Sequence, residues 1–228
     1  MTEFLQKCEL FRNFPAEVIQ QDILPQGKIT ELPKGQFFYE PQQQVDQISI
    51  VLSGKIHILH LFPDGSTSLT TVLTEGETLG SDLICTRSRM APYHAVAAVP
   101  TKILSIPAEL LLNPGMLEES CRLLALSRLL TMISHYNMKK EYRLAILSQK
   151  GLRERVMTYL SMQAGKRGTD TFKIPFTRDE MASFLCVNRS ALSHELSLME
   201  QEGLISFRKN VFTLLSPEKW KSQNAYEL

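Results

Sequence analysis

Residues 176–215, FTRDEMASFLCVNRSALSHELSLMEQEGLI followed by SFRKNVFTLL, constrain the fold more than any other part of this chain. Thr177 with Glu180 three residues later is a capping-box pattern, so a helix is expected from Arg178, with Met181, Phe184 and Leu185 on its apolar face. The small Ala182 suits a close helix crossing. Cys186-Val187 breaks the pattern, Asn188 is a good N-cap, and Ala191, Leu192, Leu196 and Met199 recur at helical spacing until Gly203 ends the second helix. Residues 205–207 and 211–215 flank Arg208-Lys209-Asn210 as a hairpin. Two helices about a tight turn, then a hairpin, predict a winged helix-turn-helix, in which the first turns of the second helix enter the DNA major groove. Arg189, Ser190, Ser193 and His194 fall on its outer face, and an Arg fork there can bond both acceptors on a guanine edge. Thr177, Arg178, Asn188, Arg208 and Lys209 complete the candidate DNA-facing set. A helix pair with no DNA role satisfies the same apolar pattern; the order of elements and their chemistry favour DNA.

Charge distribution agrees with that reading. The net charge of +1 looks low for a DNA binder until the chain is divided at Leu147, before which thirteen basic residues face fifteen acidic ones and after which twelve face nine. The basic excess lies with the helix-turn-helix. With 228 residues, 43% hydrophobic and 21% charged, the chain can hold two domains with sizeable cores. The first residues, MTEFLQKCELFRNF, lack a secretory signal pattern, and no run of about 18 apolar residues could span a bilayer. Cys8, Cys85, Cys121 and Cys186 are scattered with no CxxC pair, which disfavours a local zinc or iron–sulfur site and suits a cytoplasmic location.

Upstream, short β-branched and aromatic segments at 36–40, 47–52, 55–62, 67–73 and 94–106 are separated by Pro-Lys-Gly, Ser-Gly, Pro-Asp-Gly and Glu-Gly turn signals. This pattern predicts an all-β double-sheet barrel or jelly roll, with a helical stretch over about residues 15–23 covering its start. From Asn113-Pro114 to Leu147 there is almost no breaker, so one long helix is expected. Leu123, Leu126, Leu130 and Ile133 alternate by three and four, and Asn137, Leu144 and Leu147 keep the register, as in a stripe that pairs with a second chain. Leu117, Cys121 and Leu124 are left to face the barrel. Burial of the whole helix within one chain is the competing reading. Ser148 is expected to cap a further helix over 149–163. The fold class is therefore α+β: a β-roll sensor domain over 1–112, a dimerisation helix over 113–147, and a winged helix-turn-helix domain over 148–228.

That order of parts, together with VLSGKI at 51–56, EGETLGSDLI at 75–84 and the VNRSALSHEL helix, resembles the Crp/Fnr family of bacterial transcription regulators over essentially the whole chain. The resemblance implies a homodimer on a palindromic double-stranded operator, a small effector between β-roll and long helix, and contact with RNA polymerase, for which the loop at 165–171 lies in the relevant place. It also implies an effector site of Leu79, Gly80, Ser81, Asp82, Ala91, Pro92, Tyr93, Tyr136, Asn137 and Met138. Cyclic-AMP-binding relatives carry a Glu where this chain has Ser81, and an Arg-Ser pair where it has Ala91-Pro92. Burying a phosphate without a cationic partner is costly, so cyclic AMP is not expected to bind unless Arg87 or Arg89 folds inward. Against the helix set, Ser190 replaces a Glu and His194 an Arg, so a different operator is expected.

No cofactor is expected. The iron–sulfur branch of the family needs closely spaced N-terminal cysteines, and Cys8 stands alone. Haem ligation could draw on His57, His60 or His94, but a single strand His is more often packed or solvated. A thiol switch at Cys85 or Cys121 has no neighbour that would obviously activate the sulfur. No nucleophile–base pair, paired carboxylates or phosphate loop suggests catalysis. The rival class is a cupin-like metal enzyme or binding barrel with an interaction domain. It needs neighbouring His ligands, and the spacing of three between His57 and His60 sends them to opposite faces of a regular strand.

Overall fold

The computed structural model describes residues 1–215, so the domain expected over 148–228 extends past the described part. Contacts group the chain into two units, one of Met1–Leu61 with Thr70–Lys139, the other of Phe62–Leu69 with the chain from Lys140 onward.

The first unit starts with α1 (Thr2–Lys7) and α2 (Ala16–Val18), which runs on as a π turn (Ile19–Ile23) and a 3-10 turn (Leu24–Gln26). The strands are β1 (Lys28–Leu32), β2 (Phe37–Tyr39), β3 (Gln47–Ser53), β4 (Lys55–Leu61), β5 (Thr67–Thr74), β6 (Thr78–Leu79), β7 (His94–Ala97) and β8 (Thr101–Pro107). They form two four-stranded sheets, ordered β1-β8-β3-β6 and β2-β7-β4-β5. This is the expected double-sheet roll. Alternation explains β4 and β7, where Ile56, Ile58, Ala95 and Ala97 point inward. By contrast β3 and β8 are apolar on both faces, because both are covered. Val51 and Ile103 join the cluster inside the roll, while Ile48, Ile50, Leu104 and Ile106 pack with Leu5, Phe11, Phe14 and Ile19 of the N-terminal helical segment.

After α3 (Ala108–Leu112) comes the long helix α4 (Glu119–Leu147). Cys121, Ala125, Leu129 and Met132 form its buried face and join the same cluster as Leu117 and the partly buried Leu124. Leu123 is 54% exposed and Leu130 68%.

In the second unit follow α5 (Leu152–Arg167), β9 (Thr171–Lys173), α6 (Arg178–Phe184), α7 (Arg189–Gln201), β10 (Ile205–Arg208) and β11 (Val211–Leu214). Its sheet runs β10-β11-β9, one strand more than the expected hairpin. The core holds Tyr159 of α5 against the rings of Phe176 and Phe184, at centroid distances of 5.9 and 5.5 Å. The segment Phe62–Leu69 belongs to this unit, where the Leu69 amide donates to Ser183 Oγ at 3.0 Å.

Several local expectations need correction. The long helix begins at Glu119 rather than at Asn113-Pro114, because Gly115 at φ +83° turns the chain after Pro114. Ser148 caps nothing downstream: its hydroxyl donates back to Ala145 O at 2.9 Å, and α5 starts at Leu152 behind Gly151. The segment 94–106 is two strands, parted at 98–100. β1, β6 and β9 carry no period-two signal long enough to be read; each is held by its neighbour, as β1 is along β8 from Lys28↔Ser105 to Leu32↔Thr101.

Candidate nucleic-acid interface and effector site

The helix-turn-helix is built by two caps. Thr177 Oγ1 accepts from Glu180 N at 3.2 Å while the Thr177 amide donates to Glu180 Oε2 at 2.6 Å, completing the capping box. Asn188 Oδ1 accepts from Ala191 N at 2.7 Å and from Ser190 Oγ at 2.8 Å, fixing the start of α7. Between them Cys186 takes φ +57°, the left-handed residue of the turn. Leu192, Leu196 and Met199 are fully buried, so the helix phase is fixed and Arg189, Ser190 and His194 are left exposed, with Ser193 half-buried.

Two candidates are partly engaged. Arg178 is half-buried, its guanidinium stacked 5.0 Å from the Phe207 centroid and 5.6 Å from that of Phe212, with Nη2 donating to Lys209 O at 3.3 Å. This side chain ties α6 to the wing. Arg189 is exposed, and its ion pair to Asp179 at 3.4 Å is between two exposed side chains and so holds it weakly. Arg208 and Lys209 sit exposed at the wing tip, where Lys209 takes φ +55°. Sequence reasoning missed what aims α7. Arg153 of α5 donates through Nε to Glu195 at 2.6 Å and through both terminal nitrogens to Glu202 at 2.8 Å. The partners lie 42 and 49 residues away in sequence, so no local spacing could have revealed them.

The effector candidates divide in two. Leu79, Ser81, Ala91 and Tyr93 are buried in the first unit, Asp82 is half-buried beside them, and Tyr136 reaches in from α4 with its hydroxyl donating to Thr78 O at 2.7 Å. Tyr93 Oη donates to Asp82 Oδ1 at 3.2 Å. Gly80 has φ +86°, and a Cβ there would stand 2.6 Å from Gln47 O, so the bend that presents Ser81 and Asp82 requires glycine. Pro92, Asn137 and Met138 are exposed and not gathered with the others. A buried residue the sequence did not single out, Tyr39 on β2, belongs to the same core cluster as Leu79, Ala91 and Tyr93, and its hydroxyl lies 3.2 Å from Ser49 Oγ, itself 2.9 Å from Ser105 Oγ. Burial, with Asp82 second, pushes the Tyr93 phenol far up; burial also raises Tyr136, to about 12, and Tyr39.

Arg89, considered as a replacement phosphate ligand, pairs instead with Asp46 at 3.2 Å. Both His57 and His60 lie on β4, and among the described residues no three His, Cys, Asp or Glu side chains converge as a metal site would require.

Residues 29–113 match the cyclic nucleotide-binding domain and residues 154–221 the Crp-like helix-turn-helix domain. The chain is a transcription regulator of the Crp/Fnr family. It is 24% identical over 189 residues to the transcriptional activator protein FnrA of Stutzerimonas stutzeri, covering 81% of this chain and 74% of that one. The transcriptional activator protein Anr of Pseudomonas protegens is 25% identical over 201 residues, 86% of this chain and 79% of the relative. FixK2 from Bradyrhizobium japonicum has the same fold at a TM-score of 0.64 and 16% identity, over 88% of this chain and 98% of that one. In this Crp/Fnr regulator the DNA-facing candidates all lie in the second matched segment and the roll part of the effector set in the first. Tyr136, Asn137 and Met138 lie in the stretch between them.

Proposed function

We propose that this regulator works in the cytoplasm as a two-fold homodimer on a palindromic operator, with operator affinity set by a small effector held between the β-roll and α4. The observation that carries the DNA reading is the capped, phase-locked start of α7, which leaves Arg189, Ser190 and His194 exposed within its first two turns. Arg189 reads a guanine; Thr177, Asn188, Ser193 and the wing pair Arg208 and Lys209 contact the flanking groove and backbone. Arg178 acts chiefly by holding the wing. The exposed Leu123 and Leu130 support the dimer, since an apolar stripe of this kind on a 29-residue helix is covered by a symmetry mate. RNA polymerase is the further partner.

Selected-site sequencing with purified protein tests the reading. Wild type enriches a palindrome with half-site centres about 34 Å apart. Arg189→Ala costs about 1–3 kcal/mol of specific binding and relaxes one base pair per half-site. An identical motif from both proteins would falsify the assignment. Leu130→Asp yields monomers that lose the operator, and light scattering of a monomeric wild type at micromolar concentration removes the dimer.

A further inference from the structure

Asp179 is the second residue of α6, on the turn that the capping box of Thr177 and Glu180 fixes. Its Oδ2 lies 3.4 Å from Arg189 Nη1, and both side chains are exposed, Asp179 at 67% and Arg189 at 66%. A carboxylate here is unfavourable on its own account, because the surface offered to DNA meets a row of phosphates. It gains from the positive end of α6, but any acidic side chain in that first turn gains the same. What distinguishes the place is its neighbour, the guanidinium assigned to the guanine edge.

A second guanidinium acts on Arg189 from the same turn of α6. Burial, with the charge of Arg189 second, loosens the hold of Arg178 on its proton. Arg178 is itself committed to the wing, through the rings of Phe207 and Phe212 and the carbonyl of Lys209. Arg189 is therefore repelled by one residue of that turn and attracted by the next. In water the attraction is worth little, since solvent screens it and ordering two mobile side chains opposes it. Docking in a groove strips water from both groups, and the same charges then interact through a lower effective dielectric. An Arg fork has five N–H donors and a guanine edge takes two, so Nη1 can keep Asp179 while other donors hold the base.

We propose that Asp179 is a positioning residue for base reading: its carboxylate braces the Arg189 guanidinium against the guanine edge and keeps it from swinging to a phosphate. The inference rests on Arg189 as the guanine reader and adds the group that aims it. Asp179 repels the backbone of every sequence alike, so it lowers affinity for DNA in general while raising discrimination at one base pair.

Selected-site sequencing and filter binding on the full-length protein compare wild type, Asp179→Asn, Arg189→Ala and the double variant. Both positions are exposed, so the four proteins are expected to share one circular dichroism spectrum. Asp179→Asn keeps the shape of the side chain and removes its charge. Preference for the guanine then falls about tenfold, roughly 1.4 kcal/mol. Binding to unrelated DNA tightens instead, and its salt dependence steepens by about one phosphate contact as Arg189 turns to the backbone. In the Arg189→Ala background the same change leaves the motif as it is, because there is no guanidinium left to aim. An unaltered guanine preference in Asp179→Asn, with Arg189→Ala relaxing that base pair, overturns the brace and leaves the base reader standing. Equal loss in both backgrounds also overturns it, since Asp179 would then read a base itself. An unaltered motif in Arg189→Ala removes reader and brace together.

Discussion

Gly80 and Gly65 both have left-handed backbones, at φ +86° and +80°, yet they differ in what surrounds them. A Cβ on Gly80 meets Gln47 O at 2.6 Å and Val45 Cγ1 at 3.2 Å, whereas one on Gly65 meets nothing within 4 Å. Gly80→Ala is therefore expected to cost about 2–4 kcal/mol, strain plus overpacking, and Gly65→Ala only about 1–2 kcal/mol of strain. Denaturant midpoints of the two variants measure the difference; equal losses would mean the segment at Gly80 shifts freely. Thiols divide in the same way. Burial, with help from Glu75, pushes the Cys8 thiol up to about 11, and Cys121 is likewise buried, while Cys85 and Cys186 are exposed. Alkylation of the native protein at neutral pH labels Cys85 and Cys186 and spares the other two. Mass spectrometry that found Cys8 labelled early would show the N-terminal segment opening.

Among the elements, α7 depends most on a contact that sequence does not advertise. Arg153 makes three charge-assisted bonds to Glu195 and Glu202, the pair with Glu202 being bidentate. About a third of the Arg153 side chain is exposed, so solvent screening limits its worth to about 1 kcal/mol of stability. Its larger effect is on aim. Arg153→Ala is expected to lower operator affinity several-fold with little change in melting temperature, because Leu192, Leu196 and Met199 still bury the helix. Unchanged affinity in gel-shift titration would assign orientation to the apolar face alone. For α4 the division of labour is plainer. Cys121, Ala125, Leu129 and Met132 bury one stripe, and the three-four alternation of Leu123, Leu126, Leu130 and Ile133 lies off it. The sequence assigned Leu117, Cys121 and Leu124 to the barrel; that Ala125, Leu129 and Met132 complete the buried face, with Leu124 at its margin, is visible only in the fold.

At the scale of the molecule, four tyrosines respond to burial together. Tyr39, Tyr93, Tyr136 and Tyr159 all hold their protons above the ordinary value of 10, with desolvation the leading cause, and Tyr136 does so up to about 12. Unfolded tyrosines ionise near 10, so above that pH the unfolded chain has released protons that the folded chain keeps. Their contribution to stability is complete below pH 10 and is lost as pH rises toward 12 and beyond. Melting temperature should fall steeply in that window, with tyrosinate absorbance appearing along the unfolding transition; smooth titration near 10 in a folded protein would contradict the burial. How much was legible beforehand follows from the range of the forces. Capping, helical period and turn residues act over a few positions, so Thr177 with Glu180, Asn188, the wing and most strands could be read from the chain alone. The strands that make few local signals, β1, β6 and β9, exist because a neighbour supplies their hydrogen bonds. The same is true of function. Sequence placed Arg189 and His194 on an outer face, since a helix fixes its own periodicity. Only the resemblance to the family set Asp82, Tyr93 and Tyr136 together; local pattern could not do so, nor add Tyr39 or join Arg153 to α7, because those meetings depend on which sheets and helices pack together, and packing is decided by burial summed over the whole core.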